Sequence, residues 1–349
     1  MGKLPLEMQL IALRYHSRRL RAPNFVRKDV ELANYLAPVA NGLGDLIVSL
    51  PALQALIATG VPTHLITRSP FQEGLESRIE GLAGAIREIQ FETAELKPAD
   101  HYFNLRNHPL QTDHIWASPE FEQQYPGYKI NHVLKGICAD FGINADFEHL
   151  SPLPFRARAE AKDTVIFIPG SAGIVKCWPT QHWLSLAEEL RARGQKLAVL
   201  GQPDRSTIVR DCLNAGLMHI ETPTIIDALD VISSSQCVIA VDTGLMHLAV
   251  HQMMPTVSLF RYNVMFQRDY PHVVSLVAPR CHQKCIDIEF SAVPNKVIQF
   301  DRFKENENLT YWETWKCAAE KWEESCMSAI TVESVLEAVN RLTMKRRAR

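Results

Sequence analysis

The chain has 349 residues, 46% of them hydrophobic and 22% charged, with a formal net charge of −2. That balance predicts an ordinary soluble globular protein of two domains and excludes a secreted disulfide scaffold, because eight cysteines are thinly spread over this length. No apolar run approaches the roughly 20 residues that cross a bilayer, and the N-terminus lacks the apolar core of a signal peptide, so a cytoplasmic protein without a nucleic-acid partner is expected.

The near-neutral total hides two basic ends. Residues 1–30 carry seven Lys/Arg against Glu7 and Asp29, and residues 341–349 carry five with no acid, which leaves the middle acidic. Leu6, Leu10, Leu13 and Leu20 interleave with Arg14, Arg18, Arg19 and Arg21. That pattern predicts an amphipathic helix that either packs on the domain or rests peripherally on an anionic membrane surface.

Residues 35–39 read as a strand, Asn41-Gly42-Leu43-Gly44-Asp45 as a glycine turn, residues 46–59 as a helix carrying Pro51, and residues 63–67 as a second strand. Gly42-Leu43-Gly44 opens a dinucleotide motif, but Ile47 stands where its third glycine belongs. The second strand ends at Thr67-Arg68 with no ribose-binding acid, which weighs against NAD and leaves a narrow opening for NADP. A further strand is expected at residues 101–105, and residues 109–128 read as an irregular aromatic loop.

Ser151-Pro152-Leu153-Pro154 and the charged run 156–163 mark the domain boundary. Beyond it, residues 164–168 form a strand and residues 169–173 a glycine turn, and a helix starts at Pro179 and stops at Gly194. Strands at 196–200 and 237–241 flank a short helix at 225–233, the alternation of parallel βαβ units. The richest stretch is residues 238–248. Four buried-strand residues run into Asp242-Thr243-Gly244 and then into an apolar helix whose first N-H groups favour an anion. Asp242 would cap that helix or face a ligand.

Five blocks taken together resemble the ADP-heptose:lipopolysaccharide heptosyltransferases, the ninth glycosyltransferase family. They are Asn41-Gly42-Leu43-Gly44-Asp45-Leu46-Ile47 with Pro51-Ala52-Leu53; Pro169-Gly170-Ser171 with Lys176-Cys177-Trp178-Pro179; Gly201-Gln202-Pro203-Asp204; Asp242-Thr243-Gly244-Leu245-Met246-His247 with Pro255-Thr256-Val257; and Cys326-Met327 before Ile330-Thr331-Val332-Glu333. The resemblance implies the GT-B architecture, an α/β fold of two Rossmann-like domains facing across a cleft. Residues 1–34 would be a basic extension, 35–155 the acceptor-side domain, 156–330 the nucleotide-sugar domain, and 331–349 a C-terminal helix and basic tail.

It also implies an inverting transfer of heptose from ADP-heptose to a lipopolysaccharide-core-like or protein acceptor at the inner membrane face. The alternatives are another nucleotide sugar, or a sugar-nucleotide-binding protein without turnover. Such chemistry needs a base for the acceptor hydroxyl and a cationic or dipolar cradle for the departing diphosphate. Asp45 matches the family's base, on the acceptor-side loop with Gly42 and Gly44, and Lys176 matches its diphosphate lysine. Gly170, Ser171, Thr243, Gly244 and Leu245 would donate to the phosphates, Asp242 would meet donor-sugar hydroxyls, and His247 would face the diphosphate. No cofactor is required for catalysis. His247 and His251 have the spacing of paired zinc ligands, but Leu248 replaces the glutamate of a metalloprotease motif. Cys281, Cys285, Cys317 and Cys326 would hold a structural zinc or iron if the segment between them permits convergence.

Overall fold

A computed structural model of the chain describes residues 32–92, 100–171, 176–261, 264–279 and 325–347. The basic residues 1–31, Cys281, Cys285 and Cys317 lie outside the described residues. Two parallel sheets organise the rest. The first has β1 (Asn34–Ala37), β2 (Thr63–Thr67), β3 (Gly84–Arg87) and β4 (His101–Asn104) in the order β3-β2-β1-β4. The second has β5 (Thr164–Ile168), β6 (Lys196–Val199), β7 (Met218–His219), β8 (Cys237–Val241), β9 (Thr256–Phe260) and β10 (Val273–Val277) in the order β10-β9-β8-β5-β6-β7. β5, β8 and β9 are buried at every residue, as expected for central parallel strands covered on both faces.

Among the described residues the helices of eight residues or more are α1 (Leu43–Ile57), α2 (Ile130–Phe141), α3 (Thr180–Ala192), α4 (Thr207–Asn214), α5 (Ile225–Ser234), α6 (Gly244–His251) and α7 (Val332–Arg347). α1 starts three residues earlier than its apolar pattern suggests, because Gly42 takes the N-cap position and Asp45 closes the first turn. Residues 109–128 are not wholly irregular. Pro109–Thr112 and Pro119–Gln124 form short helices, and the hydroxyl of Ser118 caps the second. α7 packs on the second sheet's domain, where the Trp178 indole N-H donates to the Ile330 carbonyl at 2.9 Å.

The middle of α1 is buried without a break from Leu46 to Leu53, because one side covers the first sheet and another packs against α6 of the second unit. One apolar core therefore runs through both units at the seam. In each sheet the strand order reverses beside the first strand of the unit, between β1 and β4 and between β5 and β8. Ligands in open α/β sheets bind at such switch points, outside the carboxyl ends of the strands.

Candidate functional site

The loops leaving β1, β5 and β8 meet at the seam. On the first unit Asp45 occupies the third position of α1, and its Oδ2 accepts the Gly42 N-H at 2.8 Å. Oδ1 accepts no hydrogen bond among the described residues. Asp45 is thus half of a capping box rather than the cap itself. Burial pushes its carboxyl above the usual range; the Gly42 N-H and the nearby His247 and Lys176 oppose that rise, and Asp242 adds to it.

The loop ahead of Asp45 is held by residues that local patterning does not reveal. Gln72, fully buried in the turn after β2, donates to the carbonyls of Ala40 at 2.8 Å and Gly42 at 3.1 Å. Arg106, just beyond β4, donates to Asn41 Oδ1 at 3.1 Å. Burial and the neighbouring Arg68 push Arg106 down to about 10, and Glu88 and Asp45 oppose that fall. Arg68 itself pairs with Glu88 at 2.7 Å and donates to Asn104 at 3.0 Å, so it is an internal strut rather than a ribose-phosphate ligand.

On the second unit Lys176 Nζ pairs with Asp242 Oδ2 at 2.7 Å. Burial works to raise the Asp242 carboxyl, but Lys176 and His247 overrule it and hold the group below the ordinary carboxylate range. Asp242 does not cap α6; Thr243 has that position, and Asp242 precedes it as the partner of Lys176. The Ser171 hydroxyl donates to the Asp242 carbonyl at 2.9 Å, tying the turn after β5 to the one after β8. Gly170 and Ser171 border that switch point, and Thr243, Gly244 and Leu245 supply the first turn of α6. With 22% and 13% side-chain exposure, Lys176 and Asp242 stay reachable by solvent.

His247 lies beneath them at 6% exposure, its Nε2 3.7 Å from Asp242 Oδ1, an ion-pair separation too long for a direct hydrogen bond. Burial pushes its imidazole down, with Arg268 adding to the fall and Asp242 and Asp45 resisting it. The seam is tight. A Cβ on Gly44 would lie 2.9 Å from His247 Cδ2, and one on Gly244 would lie 2.8 Å from Leu43 Cβ and 3.0 Å from the Gly44 nitrogen. Both glycines are there because backbone meets backbone.

His251 is wholly buried in the seam and pushed down to about 3 by burial and by Arg268. Among the described residues no group of three metal-binding side chains converges. Of the four clustered cysteines only Cys326 is described, partly buried in the turn before α7. Cys138, Cys177, Cys212 and Cys237 are buried, and burial alone or first raises Cys138 and Cys212 to about 12.

Comparison with known proteins follows the same lines. The model of glycosyltransferase family 9 (heptosyltransferase) matches residues 127–284, which include Lys176 and the 242–247 turn. Lipopolysaccharide heptosyltransferase 1 of Pseudomonas aeruginosa is 30% identical over 102 residues, and that match spans 28% of this chain and 28% of the relative. A family 9 glycosyl transferase from Veillonella parvula superposes with a TM-score of 0.60 at 14% identity, covering 90% of this chain and 97% of the other. The dodecameric iron-containing heptosyltransferase TibC of enterotoxigenic E. coli, solved with ADP-D-beta-D-heptose, gives 0.57 at 13% identity over 90% and 76% of the two chains. At such identities the superpositions establish the fold, and the family match places the second unit. Over residues 127–284 the chain is similar to the family 9 glycosyltransferases, and its fold is the GT-B fold that those solved structures share.

Proposed function

We propose that this protein is an inverting glycosyltransferase that moves heptose from ADP-heptose to a hydroxyl of a lipid-linked or protein acceptor. One observation carries the reading: Asp45 on the first unit faces the Lys176–Asp242 pair and the α6 N-terminus of the second. A base and an anion cradle from opposite domains meet at one point.

The acceptor oxygen attacks the anomeric carbon while Asp45 takes its proton. The bond from that carbon to the diphosphate oxygen breaks on the opposite side, which inverts the centre. Charge develops on the leaving diphosphate, where Lys176 and the backbone N-H groups of Thr243, Gly244 and Leu245 are aimed. Lys176 then shares its charge between Asp242 and the phosphates. The low-lying Asp242 carboxyl stays ionised and keeps the lysine ammonium in place.

ADP-heptose as donor is supported by the heptosyltransferase family match and by the ligand of TibC. The acceptor class and peripheral membrane placement rest on the basic, leucine-spaced residues 6–21. No helix among the described residues is long and apolar enough to cross a membrane. A structural zinc or iron on Cys281, Cys285, Cys317 and Cys326 belongs to the same reading; elemental analysis near one equivalent supports it, and fully active metal-free protein overturns it.

Calorimetry with ADP tests the donor site. Wild-type protein should bind ADP, and Lys176→Ala should weaken binding by about 1–3 kcal/mol through loss of a charge-assisted contact. Equal affinity in the two proteins would remove Lys176 from the diphosphate site.

A further inference from the structure

Residues 264–272, between β9 and β10, form a strap that touches each part of the seam. Met265 offers its carbonyl to the Ile130 N-H at 2.7 Å, and Lys129 pairs with Asp269. The Tyr270 hydroxyl donates to the Phe147 carbonyl at 2.7 Å and accepts from Asn131 Nδ2 at 2.9 Å. His272 Nε2 sits 2.9 Å from the Val250 carbonyl.

Arg268 lies at the centre of this strap with 1% exposure. Its Nη1 donates to the backbone carbonyl of His247 at 3.3 Å, its Nη2 lies 3.4 Å from the Tyr270 hydroxyl, and its guanidinium stands 5.2 Å from the Tyr270 ring centre. Nε has no hydrogen-bond partner, and no carboxylate lies within ion-pair distance of Arg268 among the described residues. A buried cation without an acid is costly, and packing alone would be better served by an apolar side chain.

We infer that Arg268 is a positioning residue for His247: held in the strap, it fixes the α6 carbonyl of His247 and keeps a permanent buried cation behind that ring. The charged groups acting on His247 are Asp242 after β8, Asp45 on α1 and Arg268 from the strap; Lys176, ahead of α3, is paired to Asp242, and His251 lies one turn along α6. The carboxylates favour an imidazolium, and burial and Arg268 oppose it. The consequence rests on the transferase reading: an uncharged His247 leaves Asp45 the stronger base, because an imidazolium beside it would stabilise the carboxylate and weaken its pull on a proton.

The test is a pH titration of the His247 ring by NMR on the ¹⁵N-histidine-labelled full chain, assigned with His247→Gln. Arg268→Met should raise the ring's titration by roughly one pH unit, the scale of a like charge removed from a protein interior. Arg268→Lys, which keeps the charge, should leave it within a few tenths of a unit. A folded Arg268→Met protein with the wild-type titration overturns the inference, and where that variant does not fold, a unit-sized rise in Arg268→Lys does so instead. The titration needs no ligand, so failure of the wild type to bind ADP would sink the donor reading and leave this one to be decided separately.

Discussion

Gly244→Ala tests whether the two domains close on each other as tightly as α1 and α6 indicate. Gly244 is the first residue of α6, and an added Cβ would meet Leu43 Cβ at 2.8 Å, Leu43 Cγ at 3.0 Å and the Gly44 nitrogen at 3.0 Å. A leucine tip can rotate away, but the Gly44 nitrogen and the Leu43 Cβ cannot move without shifting the start of α1. In an unobstructed helix the substitution gains up to about 1 kcal/mol, because alanine loses less chain entropy than glycine. Overpacking a rigid contact costs about 1–3 kcal/mol. The clash wins, so the variant should be less stable by about 1–2 kcal/mol, and its Tm lower by about 1–3 °C for a chain of this size. Urea and thermal unfolding of the two proteins side by side provide the assay. Gly44→Ala presses on the same seam through His247 Cδ2 at 2.9 Å, and the double variant should lose less than the sum of the two. A Gly244→Ala protein as stable as the parent would refute the closed seam.

Three further outcomes follow from the same geometry. Arg78→Met removes the cation paired with Asp230, which bonds Arg78 at 3.0 and 3.2 Å across the domains at 6% side-chain exposure and keeps only the Arg156 N-H at 2.8 Å; urea unfolding should show a loss of up to about 3 kcal/mol, and a loss well under 1 kcal/mol would mean the units do not depend on this pair. Trp178→Phe leaves the Ile330 carbonyl without its donor and should cost about 1–3 kcal/mol in the same assay, with no change expected in ADP affinity. Asp45 has a pKa raised above its unfolded value, so the stability it contributes is present below the unfolded pKa and lost as pH rises through the folded one. Asp45→Asn should therefore raise the Tm near about pH 7 and lose that advantage near about pH 4, and an equal gain at both would contradict the desolvated carboxyl.

The parts of the fold that local pattern encodes were open to sequence reading. β8 is an unbroken apolar run and β5 is one after Thr164, and the turns at Asn41–Asp45 and Asp242–Gly244 each lead from a strand into a helix. β7 escaped because two residues carry no period, and β9 and β10 because short apolar runs, even between Pro255, Pro271 and Pro279, cannot be told from buried helix by period alone. The start of α1 was misplaced because Leu43-Gly44 reads as turn chemistry, whereas the Asp45 carboxylate on the Gly42 N-H recruits both residues into the helix. Asp45, Lys176 and Asp242 were named through their resemblance to family motifs. The pairing of Lys176 with Asp242 joins residues 66 positions apart, which no local rule supplies. Gln72, Arg106 and Arg268 hold the site from still other elements, and each looks like an ordinary polar residue until the sheets bring it to the seam. Arg268 did leave a faint mark, as an arginine amid Met265, Phe266 and Tyr270.

The central claim is that Asp45 takes the acceptor proton while the second unit holds the donor, and paired measurements on Asp45→Asn address it most directly. Single-turnover transfer from ADP-heptose and calorimetric ADP affinity should be measured on the variant and the wild type. The amide keeps the size of the side chain and can still accept the Gly42 N-H, so ADP affinity should stay within about threefold, while the transfer rate falls by on the order of a hundredfold or more. Transfer at near the wild-type rate with ADP still bound would contradict the account.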